Sequence, residues 1–333
     1  MNLSLRQGIA PLRRALADLR RAALRRHGEA GGPRPDRRMS PGDVAVPPVT
    51  ITTRSGIRVH GIQTGFVAIK TAQVSLRRPA ALRLLSIILD QRWTGLLPIL
   101  TWVIEHPEGL LVVDTGECAA ASDSDSYLAD DPPNRWFYGR NLGLFVTPAE
   151  ELAAQLRGLG LPPEQVRTVV MTHLHGDHAG GLGWFPNATF LVSRAEHAGH
   201  LRQPLGALRT HWPAGWSPQL VEYRDPAFGP FPACQRLTRA GDLVLVPTHG
   251  HSYGHQSLLL LDGERTYCFA GDLTFSQDQL LAQGLQGIAQ DLGHARQALE
   301  RTLRLARSTP TVFLPSHDPA SLARLATGAV VPS

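Results

Sequence analysis

No stretch constrains this chain more than Thr172-His173-Leu174-His175-Gly176-Asp177-His178-Ala179-Gly180-Gly181. Three histidines and one aspartate fall within six residues, directly after Val166-Arg167-Thr168-Val169-Val170-Met171. The preceding run is short, β-branched and apolar, the pattern of a buried strand. The polar cluster therefore sits at a strand end, where the chain leaves the core and side chains can converge on a cleft. Neutral imidazole and carboxylate are ligands that borderline-soft divalent metals accept. In a tight turn, His173 and His175 can aim at one ion while Asp177 and His178 aim at a neighbour. A polar loop that merely happens to hold histidine is the alternative, and the H-x-H-x-D-H spacing behind a strand weighs against it.

Two ions need more ligands, and the chain offers them further on. His251 lies in Pro247-Thr248-His249-Gly250-His251-Ser252-Tyr253-Gly254-His255-Gln256-Ser257, Asp272 closes Phe269-Ala270-Gly271-Asp272, and His317 lies in Phe313-Leu314-Pro315-Ser316-His317-Asp318. Each follows a strand-like segment, so one edge of a sheet can carry them all. The order H-x-H-x-D-H, then His, then Asp, then His resembles the binuclear pattern of the metallo-β-lactamase superfamily. The resemblance covers roughly residues 50–320.

The resemblance implies an α/β fold of the αββα kind, two mixed sheets face to face with helices outside and the site at one edge between them. It implies two divalent ions, zinc first, with iron, cobalt or manganese also suited to such donors. One ion takes His173, His175 and His251, and the other takes Asp177, His178 and His317. Asp272 bridges them together with a hydroxide, and Asp177 and Asp272 are the catalytic carboxylates. Asp114, in Val113-Asp114-Thr115-Gly116, resembles the aspartate that supports the metal loop without ligating. His255 reads as structural, and His249 stands where the family pattern has proline.

Among subfamilies, H-L-H-x-D-H-A-G-G, then G-H-S-x-G-H-Q-S-L, then the aspartate and S-H-D are most similar to the N-acyl-homoserine lactonases. That implies a quorum-quenching hydrolase opening lactone rings. One departure is Phe275, where those lactonases carry a tyrosine three residues after the bridging aspartate. Phenylalanine donates no hydrogen bond, so Tyr253 or Tyr138 is left to supply a hydroxyl. Hydrolysis of phosphotriesters, phosphodiesters or aryl esters at the same ions is the alternative. A metal-stabilised binding protein is a third reading, opposed by the complete ligand set.

Charge argues against a ribonuclease of the same fold. The net charge is +5, but residues 1–48 hold ten arginines against four acidic residues, a balance of +6 that leaves the other 285 residues at about −1. Phosphate tracking needs a basic surface that the body lacks. Residues 1–48 read as a basic N-terminal segment: an amphipathic helix over 3–26, with Leu5, Ile9, Leu12, Leu16 and Leu19 on one face, then a Gly/Pro-rich linker. Such a helix fits an anionic membrane, a partner groove or a second subunit of a homodimer. Residues 49–333 read as the hydrolase domain. No run approaches the ~18 apolar residues of a membrane span. Three scattered cysteines without C-x-x-C point to a reducing cytoplasm.

The remaining patterning predicts strands over 58–69, 99–105, 110–114, 189–192, 243–246, 257–261, 266–270 and 311–314. Helices are expected from Thr147 to Gly158, over 194–202 and over 290–306, and insertions over 119–146 and 203–233. His197 and His200 read as surface residues of their helix. Trp93 and Trp136-Phe137-Tyr138 are candidates to hold an acyl or aryl group.

Overall fold

The computed structural model describes residues 46–76, 79–202 and 208–332, together with 32, 34, 35, 205 and 206. The helix expected over 3–26 and most of the linker lie outside the described residues. The first sheet has the order β1 (Val49–Thr52), β2 (Arg58–Ile69), β3 (Leu97–His106), β4 (Gly109–Val113), β6 (Val166–Val170), β7 (Thr189–Ser193) and β8 (Gln219–Val221), with β5 (Leu142–Phe145) also paired to β2. The second has the order β13 (Thr311–Pro315), β12 (Arg265–Gly271), β11 (Gln256–Asp262), β10 (Leu243–Pro247) and β9 (Gln235–Arg236). Both sheets mix parallel and antiparallel pairs.

Alternation along the central strands shows why the sheets stack. On β3, Leu100, Trp102 and Ile104 join Val59, Leu258, Tyr267 and Phe269 in the core between the sheets. The intervening Val103 turns outward to meet Leu152 and Leu156 of the helix Leu152–Gly158. On β12, Tyr267 and Phe269 face the core while Cys268 and Ala270 pack under the helix Leu292–Ser308. Strands buried on both faces read as continuous apolar runs, and helices cover what the second sheet does not.

Strand direction then gathers the loops. β4 and β6 are parallel neighbours with Val113 opposite Val170, so Asp114 and the turn after Met171 leave the sheet side by side. β12 and β13 are parallel with Gly271 opposite Pro315, which sets Asp272 and His317 on the same edge. The β10–β11 hairpin, with Pro247 opposite Gln256, holds the loop bearing His251.

Three expectations change in detail. The helix expected from Thr147 begins at Leu152, because Glu150 turns back to accept from the Thr147 N–H and hydroxyl at 2.8 and 2.7 Å and closes a separate turn. The stretches 119–146 and 203–233, both read as insertions, add β5 and β8 to the first sheet. His200 is buried, not on the surface. Among the described residues no helix is long and apolar enough to cross a membrane.

Candidate metal centre

The turn after β6 begins at Met171, and its first residue to be locked is Thr172. Thr172 N–H and hydroxyl both donate to the Asp114 carboxylate at 2.7 Å, and His178 Nδ1 meets the same carboxylate at 2.8 Å. Asp114 has φ 59°, a left-handed conformation that aspartate tolerates better than most residues. It makes the three bonds from that conformation, and a sparsely populated backbone persists where the surroundings determine it. The short helix Gly176–Ala179 then carries Asp177 and His178 back toward His173 and His175.

The seven residues expected from sequence converge on one place. His173 Nε2 and His251 Nε2 each lie 3.0 Å from His175 Nδ1. His317 Nε2 lies 3.3 Å from Asp177 Oδ2. Asp272 stands between the two groups: Oδ1 is 3.2 Å from His178 Nε2 and 3.3 Å from His317 Nε2, while Oδ2 is 3.4 Å from His251 Nε2. Candidate ligand atoms fall into the sets His173/His175/His251, His173/His178/Asp272 and Asp177/His178/His317.

Hydrogen bonds at the far ring nitrogens fix which atoms face inward. His251 Nδ1 meets Gln286 Oε1 at 2.6 Å, and Gln286 Nε2 donates to the Asp272 carbonyl at 2.7 Å, which settles the amide orientation. His317 Nδ1 donates to the Pro98 carbonyl at 2.8 Å. With protons on Nδ1 of His178, His251 and His317, the neutral rings present Nε2 lone pairs to the cluster, the tautomer a metal requires. His178 Nε2 and Asp272 Oδ1 are buried without a hydrogen-bond partner. Orphaned polar atoms are costly in a dry interior, and these two fit a cation between them.

Electrostatics separate the histidines into two kinds. Burial and the neighbouring His251 push His175 down to about 3, so it is neutral at pH 7. Burial pulls His317 down as well, but the Asp272 and Asp177 carboxylates outweigh it and raise it to about 10. His178 is raised in the same way, with Asp272 and Asp114 overcoming burial. A divalent ion would displace the protons these two rings hold at neutral pH.

The centre floors a cavity of about 360 Å³ whose lining includes His175, Asp177, His251, Asp272 and His317. Val67, Ile69, Leu84, Ile87, Phe137 and Phe275 supply apolar wall. The residues 119–146 thus border the mouth as expected, through Phe137 and Tyr138. Trp136 is exposed and Trp93 is buried under the Lys70 ammonium, 4.1 Å from its ring centre, and neither lines the cavity. Phe275 stacks on His317 with centroids 5.6 Å apart. Tyr253 is 41% exposed and off the cavity, whereas Tyr138 lines it. His255 joins Thr248 Oγ1 through Nδ1 and accepts from Asp272 N–H through Nε2, and so holds the backbone behind the aspartate. Sequence reasoning missed Gln286, Glu196 and Glu117. Glu117 is a fully buried carboxyl that burial pushes up to about 8, with Oε1 filling the space a Cβ on Gly180 would need. None of the three stands in a motif, and only the folded chain brings them to the site.

The chain belongs to the metallo-beta-lactamase superfamily, whose family model matches residues 94–317. It is 27% identical over 236 residues to the N-acyl homoserine lactonase AttM of Azorhizobium caulinodans, covering 67% of this chain and 82% of that protein. Its fold superposes on an N-acyl homoserine lactone hydrolase solved with N-hexanoyl-L-homoserine at its catalytic metal centre, with TM-score 0.64 and 18% identity over 82% of this chain and 94% of that one. AidC, described as a dizinc quorum-quenching lactonase, gives TM-score 0.57 and 15% identity over 82% and 91%.

Proposed function

We propose that this protein is a binuclear metal-dependent hydrolase that opens the ring of N-acyl-homoserine lactones. The single observation that carries the reading is Asp272, one carboxylate with an oxygen toward each of two histidine groups on the floor of an apolar cavity. Similarity to proteins named N-acyl homoserine lactonase supports the lactone reading over the phosphoester and aryl-ester alternatives. In this reading His173, His175 and His251 would hold one ion and Asp177, His178 and His317 the other, with Asp272 available to both. Divalent ions bound there would supply a water acidic enough to ionise near pH 7 and a Lewis acid for the substrate carbonyl. Zinc suits this nitrogen and oxygen donor set.

The residues around the centre do the rest. Asp177 borders the cavity, where it takes a proton from the attacking water and passes it to the alcohol oxygen that ring opening releases. The apolar wall takes the acyl chain and excludes water from it. The catalytic unit is residues 49–333, and every proposed ligand lies within it. Cys118, Cys234 and Cys268 are free thiols, which suits the cytoplasmic location we assign. A panel of lactones and phosphotriesters tests the reading: ring opening supports it, and strong phosphotriester turnover with no lactone opened would replace it.

Phe275→Tyr gives a finer test. A neutral hydrogen bond contributes about 0.5–1.5 kcal/mol, or up to roughly one decade in rate. Phe275 lies against His317 and lines the same cavity, which makes it the position at which to restore a hydroxyl. Steady-state kinetics should show lactone kcat/KM unchanged or raised by up to about tenfold. A collapse of kcat/KM in a folded, metal-loaded variant would mean that the phenyl ring is required as packing.

A further inference from the structure

The helix Arg194–Arg202 carries none of the proposed ligands, yet it sends one carboxylate between two ligand loops. Glu196 is 1% exposed. Its Oε1 accepts from Leu174 N–H at 2.9 Å and from His200 Nε2 at 2.7 Å. Its Oε2 accepts from Ser252 Oγ at 2.6 Å and Gly254 N–H at 2.9 Å. Leu174 separates His173 from His175, and Ser252 follows His251. One side chain therefore ties the backbone of the first histidine turn to the loop bearing the third histidine of the same group.

The residue type follows from the donors. All four partners donate, and an ionised carboxylate is acceptor-only with lone pairs for all of them. A glutamine would turn its NH₂ toward two of those donors. Burial pushes the Glu196 carboxyl up, but the bonds from His200 and Ser252 outweigh it and hold it at about 2. The packing is equally close, since a Cβ on Gly254 would lie 2.0 Å from the Glu196 backbone nitrogen. His200, which donates to Glu196, lies edge-on to His175 with centroids 5.7 Å apart.

We infer that Glu196 is a positioning residue that sets the ion affinity of the His173/His175/His251 group without touching the ion. Behind the other group stand Asp114, which meets His178 and also braces Thr172 beside His173, and the Pro98 carbonyl, which meets His317. The inference rests on the metal reading above. Removing a buried partner that orients metal ligands costs about ten- to a hundredfold in affinity.

The test is metal retention by the full-length protein against a graded chelator, with zinc counted by plasma mass spectrometry and cobalt absorption as a second readout. Glu196→Gln should release one of two ions at about ten- to a hundredfold lower chelator concentration. It should keep the other ion as wild type does, and excess zinc should restore turnover. Ser252→Ala, which removes a single donor, should shift retention in the same direction by less and covers the case in which Glu196→Gln fails to fold. His197→Ala, on the same helix and beside Trp212, should leave retention unchanged. Both ions lost together, or neither, from variants of a two-ion wild type overturns this inference alone. A wild type that retains no ion overturns the metal reading and this inference with it.

Discussion

Asp272→Ala is expected to lower lactone kcat/KM by roughly a thousandfold or more, equivalent to about 4 kcal/mol of transition-state stabilisation. The carboxylate oxygens face His178 and His317 on one side and His251 on the other, so their loss opens both groups at once. It also strips buried imidazoles of their counter-charge, a change that costs about 3–5 kcal/mol when one partner of a buried pair is removed. Kinetics on protein shown by circular dichroism to be folded, with its metal counted, reads both effects. His197→Ala should stay within a few-fold of wild type, because its ring lies beside Trp212 and away from the cavity. An equal collapse of the two folded variants would show that the ligand assignment is wrong.

Trp102→Ala should be the most damaging single change to stability away from the centre. The indole is 1% exposed and lies 5.6 Å from the Phe269 ring, joining β3 of one sheet to β12 of the other. Its ring already fills the space beside β2, where a Cβ on Gly61 would come within 2.9 Å. The surrounding strands cannot collapse into the void without breaking register. A buried Trp→Ala change costs about 3–5 kcal/mol. For a domain this large that corresponds to a fall in Tm of roughly 10 °C, read by thermal unfolding at fixed metal content. A loss below about 1 kcal/mol would mean that the sheets do not depend on this contact.

The site was more legible than the frame that holds it. His173, His175, Asp177 and His178 announce themselves because a strand end concentrates them, and His251, Asp272 and His317 each follow an apolar run. Asp114 was legible through the resemblance of Val113-Asp114-Thr115-Gly116 to the family's supporting motif. The pairing of β4 with β6 and of β12 with β13 was not, since parallel partners lie far apart in sequence and leave no local turn signal. Burial of β3 on both faces erased the alternation that would have shown which side meets the other sheet. His200 looked like a surface residue because its helix is polar in composition, and only the fold shows that Glu196 and His200 face inward to the metal loops. Gln286 is equally silent: an isolated glutamine has no pattern, yet it orients His251 and bonds the Asp272 backbone. Thr147 had the residues of a helix start, but Glu150 spends its carboxylate on closing a turn and the helix waits for Leu152.

In the proposed mechanism two ions, both within reach of Asp272, are needed to open a lactone. Titrating metal-stripped protein with zinc, while following hydrolysis of an N-acyl-homoserine lactone and bound metal together, tests it most directly. No ring opening is expected without metal, and activity should saturate near two ions per chain. Full activity in metal-free protein, or saturation at one ion, would contradict it.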